Sequence, residues 1–318
     1  MRRWPAQIGV LIDVRLVGDV MYLEPPCDST EADLMGSPRT VGGGNHAGTK
    51  PATAARMHDY LLGGIYNFPA DREAADAIMA MFPRTRLVAQ MDRAFLRRAV
   101  IHMCERGVTQ FLDIGSGIPT EGNVHEIAQQ ANPAARVVYV DIDTVAVAES
   151  LGMLEGNEFA IAVQGDVRHP LAILEHPQVR KQLDFGQPVA VLLVGVLHFV
   201  GDDKQARESV RQLVNGVPAG GYLAVTHLID ETPPDFAQSD ELSRVHDVIN
   251  RQTTTMLRMR TRAEVGEYFE GSKLVDPGIV PVWEWRPEPG DLTPASINAS
   301  YDTALGGVYG GVGRIPAK

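Results

Sequence analysis

Beyond residue 50 the chain alternates between two hydrophobic rhythms. Unbroken apolar runs at Gln110–Ile114, Val137–Val140, Phe159–Val163, Val189–Val194 and Tyr222–Thr226 are rich in Val, Ile and Leu, as strands buried on both faces are. Between them lie stretches of helical period at Val124–Ala131, Thr144–Leu154, Leu171–Leu183 and Lys204–Val214. Strand and helix alternating at this interval predict a parallel sheet covered on both sides, the doubly wound α/β arrangement. Three helices precede the first strand. Ala52–Leu62 ends at Gly63-Gly64, and Asp71–Met81 ends at Pro83. The third aligns Val88, Met91, Phe95, Ala99 and Met103 on one face and stops at Gly107, with Arg93, Arg97 and Arg98 mostly off that face. Together they predict a helical cap in front of the sheet.

After the fifth strand the rhythm changes. A polar, Pro-containing loop at Asp230–Asp235 leads to predicted helices at Glu241–Leu257 and Arg262–Phe269. Leu274–Val275 and Ile279–Trp283 predict a sixth strand, and Val308–Gly313 a seventh, after an irregular stretch from Arg286 to Leu305. Residues 1–50 read differently: a strand-like piece at Ile8–Leu16, then Glu24-Pro25-Pro26 and a polar run into Gly42-Gly43-Gly44-Asn45. Low apolar density and clustered glycine predict a loosely ordered arm. The chain therefore divides into an arm (1–50), a helical cap (51–108) and a sheet core (109–318), cap and core forming one domain.

Composition narrows the function. Against 40 Asp and Glu stand 29 Lys and Arg, a formal charge of −11, which lacks the basic footprint of a nucleic-acid binder. The two cysteines, Cys27 and Cys104, are far apart and suit a reducing compartment. Asp13, Arg15 and Asp19 interrupt the apolar start of the chain, leaving neither a signal-peptide core nor a membrane span. The expectation is a soluble, cytoplasmic protein without nucleic-acid or membrane partners.

The chemistry gathers at strand ends. Phe111-Leu112-Asp113-Ile114-Gly115-Ser116-Gly117 is a strand running into a Gly-rich turn, where glycine permits a sharp bend and close ligand approach. A dinucleotide fingerprint requires a third Gly at position 120, which is Thr120 here. Asp113, two places before the first Gly, suits a ligand with a cationic amino-acid end rather than a pyrophosphate. Asp141 closes the second strand at the separation expected for an acid bonded to ribose hydroxyls. Asp166 closes the third and suits the exocyclic amine of adenine, with the Val167 amide facing a ring nitrogen. Each acid alone is also readable as a helix cap or a solvated loop residue. Together they point to an adenosine-containing ligand.

LDIGSG, VYVDID, QGDV and PAGGYLAVTH resemble, in order and spacing, the class I S-adenosylmethionine-dependent methyltransferases. ARMHDYLLGGIYNFPADRE, FLDIGSGIPTEGNVHEIA, VAVLLVGVLHFV, YFEGSKLVDPGIVPVWEWRPE and YGGVGR are similar to an actinobacterial group within that superfamily, over residues 51–315. The resemblance implies a Rossmann-like, mostly parallel seven-stranded sheet, with the antiparallel last strand beside the fifth. It implies S-adenosyl-L-methionine as cofactor, held by Asp113, Gly115, Gly117, Asp141, Asp166 and Val167, to which Ile142 and Gly195 are added at the neighbouring strand ends. It also implies closure of the N-terminal helices over the cofactor. Ile65-Tyr66 stand where the group often has Lys-Asp, and Asp92 where it often has Asn, so shared acceptor contacts do not carry over.

His198, after the fourth strand, is the candidate catalytic base or else a structural histidine. His227 ends the fifth strand; with Asp230 and Glu231 nearby it suggests a metal site only weakly, and none is assigned. Tyr60, Asn67 and Arg72 surround the Gly63-Gly64 break as a lid hinge touching the cofactor, or as a plain helix–helix turn. Arg56, Arg72 and Arg93 are candidate partners for the cofactor carboxylate. His58 is read as structural or solvated. The resulting reading is a methyltransferase acting on a small-molecule acceptor. A non-catalytic binder of the same cofactor shares every cofactor residue, and an NAD(P)-dependent oxidoreductase shares the sheet and Asp141.

Overall fold

The computed structural model describes the backbone of residues 14–17 and 20–23, and residues 51–119, 122–229, 257–291 and 307–317 in full. The chain divides into two compact units, Met1–Ala47 and Gly48–Lys318. In the first, β1 (Val14–Val17) and β2 (Val20–Leu23) form an antiparallel hairpin. Of the expected strand at Ile8–Leu16, residues 14–16 lie in β1 and the earlier ones lie outside the described residues.

The second unit opens with α1 (Ala54–Leu61), α2 (Pro69–Met81) and α3 (Thr85–Cys104). Then β3 (Gln110–Ile114), α4 (Val124–Ala131), β4 (Arg136–Asp141), α5 (Thr144–Met153) and β5 (Ala160–Gln164) follow. After them come α6 (Pro170–Leu174), α7 (Pro177–Gln182), β6 (Ala190–Leu193), α8 (Asp203–Gly216) and β7 (Tyr222–Leu228). The described residues end with α9 (Arg262–Glu267), β8 (Lys273–Leu274), β9 (Val280–Pro281) and β10 (Val308–Arg314). The sheet order is β5-β4-β3-β6-β7-β10-β8, with β9 also on β10. Strands β3 to β7 pair in parallel, and β10 enters antiparallel beside β7, with Tyr309 opposite His227.

Period-two alternation assigns the two faces. Leu112, Ile114, Val138, Val140, Val191, Leu193, Leu223 and Val225 pack with α6, α7 and α8 in one core. Phe111, Val137, Tyr139, Ala190, Leu192, Tyr222 and Ala224 pack with α3 and α4 in the other. Helix α3 is therefore a layer of the core: Met91, Phe95, Ala99 and Met103 are fully buried against the sheet. Helices α1 and α2 form a separate apolar cluster with Ala89 of α3.

Three expectations are corrected. The helix expected at Leu171–Leu183 is two helices, because Pro177 lacks the N–H and crowds the preceding turn. The sixth strand is reduced to β8 and β9, and Val282–Glu284 is a 3-10 turn instead of strand. Arg98 is not on an outer face; it is buried, donating to the carbonyls of Trp285 and Val282 and to Asp291. Those carbonyls end a turn without ladder partners, so a cation inside satisfies them. The expected loop at Asp230–Asp235, most of the helix at Glu241–Leu257 and residues 292–306 lie outside the described residues. No helix among the described residues is long and apolar enough to cross a membrane.

Candidate active site

Strand order reverses between β3 and β6, so a crevice opens at their carboxyl ends, where doubly wound sheets bind ligands. Both strands leave the sheet through left-handed glycines, Gly115 (φ 74°) and Gly195 (φ 69°). The Gly115 amide donates to Val140 O at 2.7 Å, and the Gly195 amide to Thr226 Oγ1 at 2.8 Å. A Cβ added at Gly115 would lie 2.3 Å from Val196 Cγ2, whereas at Gly117 (φ 66°) nothing lies within 4 Å. The first glycine lets the two strand ends meet, and the second leaves open backbone. Gly115→Ala is expected to combine left-handed strain with this clash, lowering the thermal midpoint and weakening S-adenosylhomocysteine binding at least tenfold; thermal melts and calorimetry check it.

The three strand-end acids differ in state. Asp113 lies on the face of Phe111 and Tyr139, toward α3, and is buried. Burial raises its carboxyl to about 7, opposed by Arg93 and helped by Asp141. Asp141 is also raised by burial, against backbone amides that bond to it. Its Oδ2 accepts from the Gly117 amide at 2.7 Å and its Oδ1 from the Asp143 amide at 2.8 Å. Each oxygen retains a second acceptor direction, enough for a vicinal diol. Asp166 is held in its own loop: burial tends to raise its carboxyl, but the two-pronged pair with Arg168 outweighs it and lowers it. Beside these, Val167 is buried and Ile142 is 56% exposed, an apolar surface next to Asp141.

The residues flagged around Gly63-Gly64 are brought together, chiefly with one another. Asn67 donates to Asp59 Oδ2 and Gly64 O and accepts from Arg72, which also donates to Asn67 O. Tyr60 donates to Asp76. They lock the α1–α2 corner. The link from this cap to the crevice is one that sequence reasoning missed. Thr53, which caps α1, and Arg56 within it bond to Asp143 Oδ2 at 2.6 and 3.1 Å, and Arg56 also pairs with buried Asp71 at 2.8 Å. Asp143 in turn caps α5 through the Val145 amide.

Two histidines meet at the carboxyl ends of β6 and β7. His198 sits in the 3-10 turn Leu197–Phe199, its ring 5.6 Å from that of His227. His227 Nδ1 contacts Leu228 O at 2.6 Å, so this nitrogen carries the proton and Nε2 accepts from Arg260. Arg260 also holds Leu197 O, Val200 O and Asp203. Burial, then the charges of His227, Arg260 and His58, keep His198 well below the usual imidazole range. His58 of α1 thus belongs to the same neighbourhood, lowered to about 4 by burial and Arg93. A mid-helix histidine gives no sequence signal for such a placement. Arg93 reaches Asn123 Oδ1 at 3.2 Å and acts electrostatically on Asp113. Among the described residues no group of three His, Cys, Asp or Glu is arranged for a metal ion; Asp230 and Glu231 lie outside them.

A desolvated carboxylate for an ammonium, a second for a diol and open glycine backbone between them fit S-adenosylmethionine. The comparisons agree. A family model described as S-adenosyl methyltransferase matches residues 44–316. No curated protein shows significant similarity. Among solved structures, a DUF574 family protein from Streptomyces avermitilis is 38% identical, with TM-score 0.75, covering 84% of this chain and 98% of its own. A candidate methyltransferase from Thermobifida fusca is 35% identical, with TM-score 0.75, covering 84% and 96%. The chain therefore belongs to the S-adenosyl methyltransferase family and is an S-adenosylmethionine-dependent methyltransferase of Rossmann-like class I fold.

Proposed function

We propose that the enzyme methylates a small-molecule acceptor, and that Asp113, Gly115, Gly117, Asp141, Ile142, Asp166, Val167 and Gly195 hold the cofactor. The observation that supports this reading is enclosure: Asp113, Asp141 and His198 are each less than a tenth exposed, while the chain carries a charge of −11. A recessed site on a chain of net negative charge disfavours polyanionic acceptors. When bound, the cofactor supplies an electrophilic methyl group on a sulfonium. The protein's part is positional. Asp113 offers a buried counter-charge to an ammonium, with Arg93 as a cationic neighbour for a carboxylate, whereas Arg56 is taken up by Asp71, Asp143 and the Pro51 carbonyl. Asp141 fixes the ribose, and Ile142 offers an apolar face to the base. Asp166 reaches an adenine amine only by sharing its oxygens with Arg168. Tyr60, Asn67 and Arg72 act through the corner they brace, which sets the position of α1. His198, neutral, walls the acceptor side.

The test is incubation with methyl-labelled S-adenosylmethionine and a low-molecular-mass cell extract. Label is expected in the small-molecule fraction; label found only in protein or nucleic acid of a whole lysate would sink the proposal.

A further inference from the structure

Helix α3 places a fourth acid at the crevice, against the ends of β6 and β7. Asp92 Oδ2 lies against Gly195, where an added Cβ would approach it to 3.4 Å. The Thr226 side chain hydrogen-bonds to the same carboxyl group. Because Thr226 Oγ1 already accepts from the Gly195 amide, its hydroxyl proton is directed to Asp92. Asp92 is therefore fixed to the ends of β6 and β7, whereas Asp113, Asp141 and Asp166 close β3, β4 and the loop after β5. Its other oxygen, Oδ1, is fully buried with no hydrogen-bond partner among the described residues. A buried acceptor atom left without a donor is costly and uncommon, and in a ligand crevice the missing donor is naturally the ligand's.

We propose that Asp92 accepts the proton of the group that becomes methylated, so that the acceptor presents an O–H or N–H nucleophile to Asp92 Oδ1. This rests on the small-molecule reading above. In the step, the nucleophile's lone pair forms the new bond to carbon, and the carbon–sulfur bond breaks with its electrons staying on sulfur. The nucleophile's proton passes to the carboxylate. One negative charge and one positive charge are lost together, which a poorly solvated site favours. The groups facing Asp92 are Arg93 on its own helix, the Thr226 hydroxyl on β7 and the Gly195 backbone. Burial outweighs both the Thr226 bond and the Arg93 charge, lifting the carboxyl to about 6. It is thus ionised at neutral pH yet more basic than an ordinary carboxylate, as a general base should be. His198 is a weaker proton acceptor, because its surroundings oppose its charged form.

The test needs no known acceptor. Sinefungin has a carbon in place of the cofactor's sulfur and an amine in place of its methyl group, and S-adenosylhomocysteine carries neither amine nor methyl there. Titration calorimetry of wild type is expected to show sinefungin binding roughly tenfold more tightly at about pH 8, a preference that shrinks toward about pH 5 as Asp92 is protonated. Asp92→Asn, nearly isosteric, is expected to erase the preference while S-adenosylhomocysteine still binds. A preference indifferent to pH and to Asp92→Asn would overturn the proposal, and the wild-type pH series decides even if the variant folds poorly. Equal weakening of both ligands in Asp92→Asn would overturn it too, placing Asp92 at the cofactor's amino-acid end. Failure of both ligands to bind wild type would instead bring down the cofactor assignment, and this proposal with it.

Discussion

Asp141→Ala is expected to weaken S-adenosylhomocysteine binding by about 10²–10⁴-fold. Two hydroxyl hydrogen bonds to an ionised carboxylate contribute about 1.5–3 kcal/mol each, and about 1.4 kcal/mol corresponds to a factor of ten. The structure adds a second reason for a large effect. Asp141 also receives the Gly117 and Asp143 amides, so it sets the shape of the glycine turn as well as meeting the ligand. Asp141→Asn keeps one acceptor oxygen and a similar shape, so it is expected to lose less, about tenfold. Calorimetry on both variants, alongside thermal melts, separates ligand contact from loop collapse. If Asp141→Ala binds like wild type, the ribose is held elsewhere and the assignment of the strand-end acids falls.

Arg56→Ala is expected to destabilise the protein by about 3–5 kcal/mol, the usual cost of stripping one partner from a buried ion pair. Arg56 is 3% exposed and Asp71 is 0% exposed, so removal leaves a carboxylate with no route to water. The expected signal is a fall in thermal midpoint of roughly 10 °C and a matching drop in the urea midpoint. Because Arg56 also holds Asp143, whose amide bonds to Asp141, cofactor affinity is expected to fall along with stability. A melt within about 1 °C of wild type would show that α1 is held by apolar packing alone, and that the cap is not coupled to the ribose acid through this pair.

These two residues mark the limits of what was legible beforehand. Asp141 is readable because a strand-end acid after a glycine turn has fixed chemistry and spacing. The missing third glycine at Thr120 likewise separated the cofactor type from a dinucleotide. The partner of Arg56, Asp143, is 87 positions away, and no local pattern announces it. Arg98 shows the same blindness: a helix wheel places it off the apolar face, yet the carbonyls of Val282 and Trp285 draw it inside.

The sequence by itself determined the parallel α/β frame, the strand-end glycines and acids and the family, since each depends on local periodicity or on residues close along the chain. Boundaries shifted at Pro177, where a local rule was overlooked, and in the sixth strand, which is reduced to two short pieces and a 3-10 turn. Tertiary structure alone decided that α3 is a core layer, that Asp166 is tied to Arg168, and that His58, Asp92, His198 and His227 gather on one side of the crevice. Those residues lie on α1, α3 and the ends of β6 and β7, and meet only when the sheet closes its order. Their proton affinities follow from burial there and from neighbours such as Arg93, Thr226 and Arg260. Burial and neighbouring charge, which set whether Asp113 or Asp92 holds a proton, are properties of assembled surroundings and not of the residue type.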